Sequence, residues 1–381
     1  MTKKVRAAVR TAPRTTELRE FDVPALGPDE ALVRMEVAGI CGTDVKLYDN
    51  PVIGGPVIMG HENVGIVENA GQAFTRFHGV EDGDRIFIEH YVGCYHCEWC
   101  RSGEFRHCRA TDWRINPDAR RYGYTPSTNH GTLWGGFAEY MYLPWNAVVH
   151  KVPESVTAEL AGLVTPLSNG IEWALFSAQV GYADTVLIQG PGQQGLSQLV
   201  ASKQAGASMI IMTGTTRDRA RLELAKELGA DHVIDILATP PLEAVMDLTG
   251  GCGVDKVLDC TSRAGTAPLL LGVDALKRRE GVLLIQGELA AFPDFPVKKI
   301  TEKAITIKSA RGHSFKACEL ALDQLTSGRF PLHKLATHRF VLDDVDLAIR
   351  TMGGEGVADV IHISLLPGMT REQVAALGAG Q

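Results

Sequence analysis

TVLIQGPGQQGLSQLVASKQAG, residues 185–206, runs from an apolar strand-like segment through a glycine-rich turn into a helical pattern. Its glycines Gly190, Gly192 and Gly195 stand at Gly-x-Gly-x-x-Gly spacing. Between a strand and a helix, the first such glycine makes the tight turn. The second lets a pyrophosphate approach the backbone, and the third lets helix and strand pack closely. Amides at the helix start, around Gln194, then face the phosphates with the positive end of the helix dipole behind them. A glycine-rich turn can also be purely structural, but the flanking strand and helix favour a dinucleotide loop.

The same alternation continues on the C-terminal side of this stretch. SMIIMTG (208–214), VDKVLDC (254–260) and GVLLIQG (281–287) read as strands, and RDRARLELAKELGA (217–230) and GTAPLLLGVDALK (265–277) as helices. Strands alternating with helices of this length predict βαβ units, hence an α/β, doubly wound parallel sheet of the Rossmann kind. On the N-terminal side the texture differs. EALVRMEVAG (30–39), NVGIVENAG (63–71), GDRIFIEHYVG (83–93) and FAEYMYLP (137–144) are short β segments punctuated by Gly and Pro, which suits a mostly antiparallel, barrel-like domain. After about residue 308 the alternation stops, and a helical pattern, FKACELALDQLTSG (315–328), and a strand, VADVIHISL (357–365), follow.

The 381 residues suit two domains, and 45% hydrophobic with 22% charged residues is ordinary for a globular chain. A net charge of −7 argues against a nucleic-acid surface. No run approaches the roughly 18 apolar residues of a membrane span, and the start, MTKKVRAAVRTAP, has no apolar core for a signal peptide. A cytoplasmic, reducing location is therefore expected, in which the eight cysteines read as thiolates or metal ligands.

Four of them sit in GCYHCEWCRSGEFRHC (93–108): Cys94, Cys97, Cys100 and Cys108. Cysteines two residues apart bend around one ion, and the fourth closes a tetrahedral thiolate cage with no open position, so the expected role is a structural zinc. His96 and His107, in the same loop, read as bystanders. Two other fragments, AGICGTDVKLY (38–48) and MGHENVGIVENAG (59–71), carry Cys41, His61 and Glu62; a soft thiolate and an imidazole suit a catalytic zinc, while read separately Cys41 suits a small buried residue and His61 an ordinary loop or core histidine.

The place of the acidic residue that accepts the ribose 2′-OH in an NAD site, about 20 residues beyond the loop, is taken by Gly214. Thr215, Thr216, Arg217 and Arg219 follow, with hydroxyls and guanidinium forks suited to a 2′-phosphate. NADP is thus the preferred cofactor, with NAD the other candidate. The competing interpretation of this stretch is a solvated helix start with Asp218 as cap.

In this order, GICGTD, GHExxGxxxxxG, the four-cysteine lobe, GGFAEY and GPGQQG resemble the zinc-containing medium-chain dehydrogenases, the alcohol, polyol and threonine dehydrogenase family, over nearly the whole chain. The resemblance implies a GroES-like catalytic domain over 1–160, a Rossmann domain over 161–308 and a return to the catalytic domain over 309–381. It implies a catalytic zinc on Cys41 and His61, with Glu62 beside it, and Thr43 on the substrate hydroxyl. Two positions depart from the family. Thr165, in LVTPLSNGIEWAL, stands where another zinc ligand is usual, and Lys46 stands where many relatives carry the histidine of a proton relay. A lysine serves there only if its surroundings lower its pKa.

The implied activity interconverts an alcohol, a secondary alcohol or polyol, with its ketone or aldehyde by hydride transfer. Zinc acts as Lewis acid, Thr43 passes the proton outward, and Lys46 is the next station. Thr165 favours a rival, a zinc-independent NADPH-dependent quinone or enone reductase. A non-catalytic NADP-binding redox sensor is the alternative from another class. The segment 109–134, with Trp113, Arg114, Tyr122, Tyr124, His130 and Trp134, either caps the substrate cleft or pads a subunit contact. The resemblance further implies a homodimer or homotetramer, with GVLLIQG (281–287) as a contact strand.

Overall fold

The computed structural model describes residues 3–50, 54–128, 133–287, 289 and 291–378. His130 lies outside them. The chain divides into two units, one of Met1–Thr165, Ser314–Ser327 and Leu335–Gln381, the other of Pro166–His313 and Gly328–Lys334. The first boundary lies between Thr165 and Pro166. The return is in two steps, because residues 328–334 go back to the second unit before the first resumes.

In the first unit β1 (Lys4–Ala12), β2 (Thr15–Asp22) and β4 (Val57–Ile58) form a small antiparallel sheet in the order β2-β1-β4. A larger sheet is built on β3 (Ala31–Ile40), β5 (Glu62–Glu68), β6 (Arg85–Val92), β7 (Tyr140–Leu143) and β8 (Ala147–Lys151). β15 (Ala336–Val341) and β16 (His362–Leu366) from the C-terminal part extend it in the order β15-β16-β3-β5-β6-β8, with β7 also on β3. ALVRMEVAGI buries all but two of its ten side chains, because β3 is paired on both edges and packed on both faces. The core it anchors includes Trp134, Tyr122, Phe74 and Phe137. The register sets Gly39 opposite both Glu62 and Ser364. A Cβ there would lie 2.4 Å from Glu62 Oε2 and 2.8 Å from His362 Cε1, so glycine keeps room for that carboxylate.

The second unit holds a six-stranded, wholly parallel sheet in the order β11-β10-β9-β12-β13-β14. Its members are β9 (Thr185–Gln189), β10 (Met209–Gly214), β11 (His232–Asp235), β12 (Lys256–Asp259), β13 (Val282–Ile285) and β14 (Thr306–Ser309). Connected by helices, this is the expected Rossmann sheet. One expectation is corrected. GVLLIQG cannot be an edge-to-edge contact strand, because β13 spends one edge on β12 and the other on β14. The edge belongs to β14. Among the described residues no helix is long and apolar enough to cross a membrane.

Candidate metal centres and cofactor site

Cys41 ends β3's run and caps the helix Gly42–Asp49. Its Sγ accepts the Thr43 N–H at 3.3 Å, while the Asp44 carboxylate accepts the Cys41 N–H at 3.0 Å, closing a capping box. That first turn aims Cys41 Sγ at His61 Nε2, 3.2 Å away. Asp44 Oδ1 lies 3.3 Å from His61 Nδ1, a charge contact without hydrogen-bond alignment, on the side of the ring away from the Nε2 that faces Cys41. Glu62, next in sequence and first in β5, brings its carboxylate into the group, and the three ligand atoms all lie within 4.8 Å of one another. All three residues are buried. Asp44 was not singled out in the sequence, although Cys41-x-x-Asp44 has capping-box spacing.

These donors fit a divalent cation. Glu62 Oε2 is buried with no hydrogen-bond partner, and the His362 ring, whose Nδ1 is 3.9 Å off, is pushed down to about 4 by burial and so brings it no positive charge. Burial pushes the Glu62 carboxyl up to about 8 and raises the Cys41 thiol. Against burial, the negative charge of Asp44 holds His61 well above its usual value. Sulfur, nitrogen and carboxylate oxygen around one point are the donor set of zinc. Thr43 is half-buried beside Cys41. Thr165 is buried at the start of the helix Val164–Ile171. Lys46 is exposed.

The second cluster joins Cys94, Cys97, Cys100 and Cys108, whose sulfurs lie within 4.8 Å of one another without a disulfide. Cys97 caps the short helix Glu98–Arg101, its Sγ accepting Cys100 N–H at 3.4 Å, and Cys108 Sγ accepts Cys94 N–H at 3.4 Å. Against burial, backbone N–H groups of His96 and Cys97 pull the Cys94 thiol down to about 6. His96 and His107 are exposed and outside the sulfur cage. Phe105, Tyr91 and Val148 pack the lobe onto the first unit.

In the second unit each loop glycine has a separate geometry. Gly190 has φ +95, in the left-handed region. A Cβ on Gly192 would meet nothing within 4 Å, so its backbone is open to a ligand at the start of the helix Gln193–Gln204. A Cβ on Gly195 would lie 2.0 Å from Gly190 O, which is the close packing the third position requires. At the end of β10, a Cβ on Gly214 would lie 2.9 Å from Pro191 Cγ. A pocket of about 220 Å³ beyond it is lined by Thr215, Thr216, Arg219, Leu222, Val233 and Asp235, among others. Arg217 and Arg219 are exposed. The pocket also holds a carboxylate the sequence reading overlooked, because it comes from the neighbouring strand. Asp235 ends β11 and accepts the Thr216 hydroxyl at 2.6 Å. Hydrogen bonds, that of Thr216 first, hold its carboxyl below the usual range.

With these two metal-ligand clusters, a glycine loop on a parallel sheet and a β unit resumed after it, the chain belongs to the zinc-containing medium-chain dehydrogenase family. Residues 27–154 match the alcohol dehydrogenase GroES-like domain and residues 195–327 the zinc-binding dehydrogenase family. The chain is 36% identical to the "Probable alcohol dehydrogenase adh" of Mycobacterium tuberculosis, over 92% of this chain and 95% of that one. It is 31% identical to the erythritol/L-threitol dehydrogenase of Mycolicibacterium smegmatis, over 96% and 98%. Among solved structures, the alcohol dehydrogenase TADH of Thermus sp. ATN1 superposes with a TM-score of 0.80 at 26% identity, covering 95% of this chain and 99% of that one. The chain is an oxidoreductase of this family.

Proposed function

We propose that this oxidoreductase is a zinc-dependent, NADP-preferring alcohol dehydrogenase that interconverts a secondary alcohol or polyol with its carbonyl compound. The convergence of Cys41, His61 and Glu62 on one point carries the reading. When bound, zinc supplies Lewis acidity at the substrate oxygen and the nicotinamide accepts or returns the hydride. The chain's own residues bind and orient. Cys41, His61 and Glu62 would hold the catalytic ion, with Asp44 beside the His61 ring. The Thr43 hydroxyl takes the substrate proton. Lys46 is exposed, so it meets that proton at the solvent end of the path. The lobe cysteines would hold a second, structural zinc. Gly190, Gly192, Gln194 and Gly195 cradle the pyrophosphate, and Gly214, Thr215, Thr216, Arg217 and Arg219 receive a 2′-phosphate, with Asp235 opposing it.

The relatives named for an alcohol and for a four-carbon polyol support this substrate class. We place the enzyme in the cytoplasm as a homodimer or homotetramer, the edge of β14 being the strand left for a second copy.

Metal analysis of the purified protein together with a cofactor-reduction screen on an alcohol panel tests the proposal. The expected result is two zinc ions per chain and NADP reduction with secondary alcohols. One zinc per chain and reduction of quinones or enones instead would establish the zinc-independent reductase. One zinc with no turnover would establish the sensor.

A further inference from the structure

The residues assigned so far leave a buried cation beside the catalytic metal centre unused. Arg121 belongs to the segment 109–134, where its backbone bridges Tyr91 and its N–H donates to Thr125 Oγ1 at 2.9 Å. The turn that follows is pressed against the metal-ligand segment. A Cβ on Gly123 would lie 2.9 Å from Gly60 O and 3.3 Å from His61 Cβ. The rings of His90 and Tyr124 stand 5.5 and 5.9 Å from that of His61. The Arg121 guanidinium lies over the Tyr91 and Tyr124 rings, 4.8 and 4.6 Å from their centroids, and its Nη2 donates to His90 Nε2 at 2.6 Å. It is one ring away from a proposed zinc ligand, and only 8% exposed.

A guanidinium carries a permanent charge and five N–H donors. Arg10, equally buried, shows how an arginine with a structural task uses them: its Nη1 and Nη2 donate to the carbonyls of Leu47 and Gly55, at 3.1 and 3.2 Å. Among the described residues the Arg121 guanidinium reaches no backbone carbonyl. Among the described residues no carboxylate pairs with it, and its Nε is buried with no hydrogen-bond partner. Two ring faces and one neutral imidazole offset only part of the cost of taking that charge from water. The remaining donors suit a planar or tetrahedral oxyanion, to which an arginine fork gives two parallel bonds.

We infer that Arg121 is a specificity residue, and that the substrate is an alcohol that also carries an anionic oxygen group, a carboxylate or a phosphate, which Arg121 holds. The inference rests on the reading of the chain as a metal-dependent alcohol dehydrogenase. It gives Arg121, within segment 109–134, a part in recognising substrate, a role distinct from the cap or subunit contact expected of that segment.

Sorbitol, gluconate and sorbitol 6-phosphate share one six-carbon chain and differ at the end group, so they separate neutral, carboxylate and phosphate recognition. In the zinc-loaded enzyme with its cofactor, one of the two anions should exceed sorbitol in kcat/KM by about 100-fold, the range of a charge-assisted bidentate contact. Arg121→Gln should erase that preference through KM while sorbitol turnover changes little, and Arg121→Lys should keep part of it. Calorimetry of the cofactor-loaded protein should show binding of the preferred anion that the Gln variant loses. Sorbitol used as well as both anions, or an unchanged preference in the Gln variant, would overturn the inference and leave the dehydrogenase intact. No oxidation of any alcohol, with Arg121-dependent anion binding retained, would overturn the dehydrogenase and leave the anion site. No turnover and no such binding would overturn both. If the Gln variant does not fold, the wild-type preference and the Lys variant decide.

Discussion

Gly192 and Gly195 lie three residues apart in one loop, and the structure separates what each contributes. At Gly192 the backbone is extended, φ −75 and ψ 178, which any residue adopts, and an added Cβ meets nothing within 4 Å. Gly192→Ala should therefore change stability by no more than about 1 kcal/mol, the scale of a weak cap. Its methyl would instead stand where the phosphates approach, at the N-terminus of Gln193–Gln204. Losing one or two charge-assisted backbone contacts there weakens NADP binding roughly 10- to 100-fold. At Gly195 the new methyl would lie 2.0 Å from Gly190 O. Carbon and oxygen in contact need well over 3 Å, so strand end and helix start must part by about 1 Å or more. Overpacking of that kind costs about 1–3 kcal/mol, a fall in Tm of roughly 2–12 °C for a unit of this size. Fluorescence titration with NADPH and thermal melts of both variants form the assay. Gly192→Ala binding like the wild type, or Gly195→Ala melting like it, would refute the assignment of approach to one glycine and packing to the other.

The two cysteine clusters predict opposite phenotypes. Cys41→Ser should lose one zinc and all alcohol turnover with little change in Tm, whereas Cys97→Ser should lose the other zinc and melt earlier, as metal analysis and melting curves would show. In the cofactor pocket, Arg217→Ala should weaken NADP by about 10- to 100-fold with little effect on NAD. Asp235→Asn should shift the NADP/NAD ratio of kcat/KM toward NADP, since the carboxylate 2.6 Å from Thr216 opposes a second phosphate. His150 is buried between Glu89, 2.9 Å from its Nε2, and Glu319 on its Nδ1. Burial lowers its pKa, but the hydrogen bonds to Glu319 and Glu89 outweigh this and raise it above the ordinary 6.5. A raised folded value stabilises fully below the unfolded pKa, and that contribution is lost as pH rises through the folded one. The Tm advantage of wild type over His150→Asn should thus shrink from pH 6 upward; an advantage that grows with pH would contradict the pairing.

The Rossmann sheet was legible because its strands are local apolar runs that end in glycine turns, and 185–206 carries strand, loop and helix in one window. The four-cysteine cage was equally local, all four ligands falling within 15 residues. What the sequence hid depends on register and on neighbouring strands. Asp235 enters the cofactor pocket because β11 pairs in parallel with β10, setting Asp235 beside Gly214, and nothing in the spacing from Gly190 announces it. Arg121 reaches His61's surroundings through a bridge to Tyr91 that no periodicity encodes. The role expected of GVLLIQG failed for the same reason, since an apolar strand reads alike at an edge and in the middle of a sheet.

Asp44 joins these levels. One residue caps a helix and touches both a cysteine and a histidine, through the Cys41 N–H at 3.0 Å and His61 Nδ1 at 3.3 Å. The helix start and the Cys41–His61–Glu62 cluster therefore share one carboxylate. Burial raises the Cys41 thiol and the Glu62 carboxyl, so without metal both favour their protonated forms. The Thr43 N–H at the helix N-terminus offsets only part of this for the sulfur. A dication held there would make up the remainder, and its binding would expel protons from Cys41 and Glu62. Zinc affinity at this centre should accordingly rise with pH through the range in which Glu62, pushed up to about 8, ionises, and metal titrations at several pH values would show it. The four-cysteine lobe is mixed in the same respect, since backbone N–H groups pull the Cys94 thiol down while burial raises those of Cys100 and Cys108, so an ion there would also have to displace protons from its buried sulfurs.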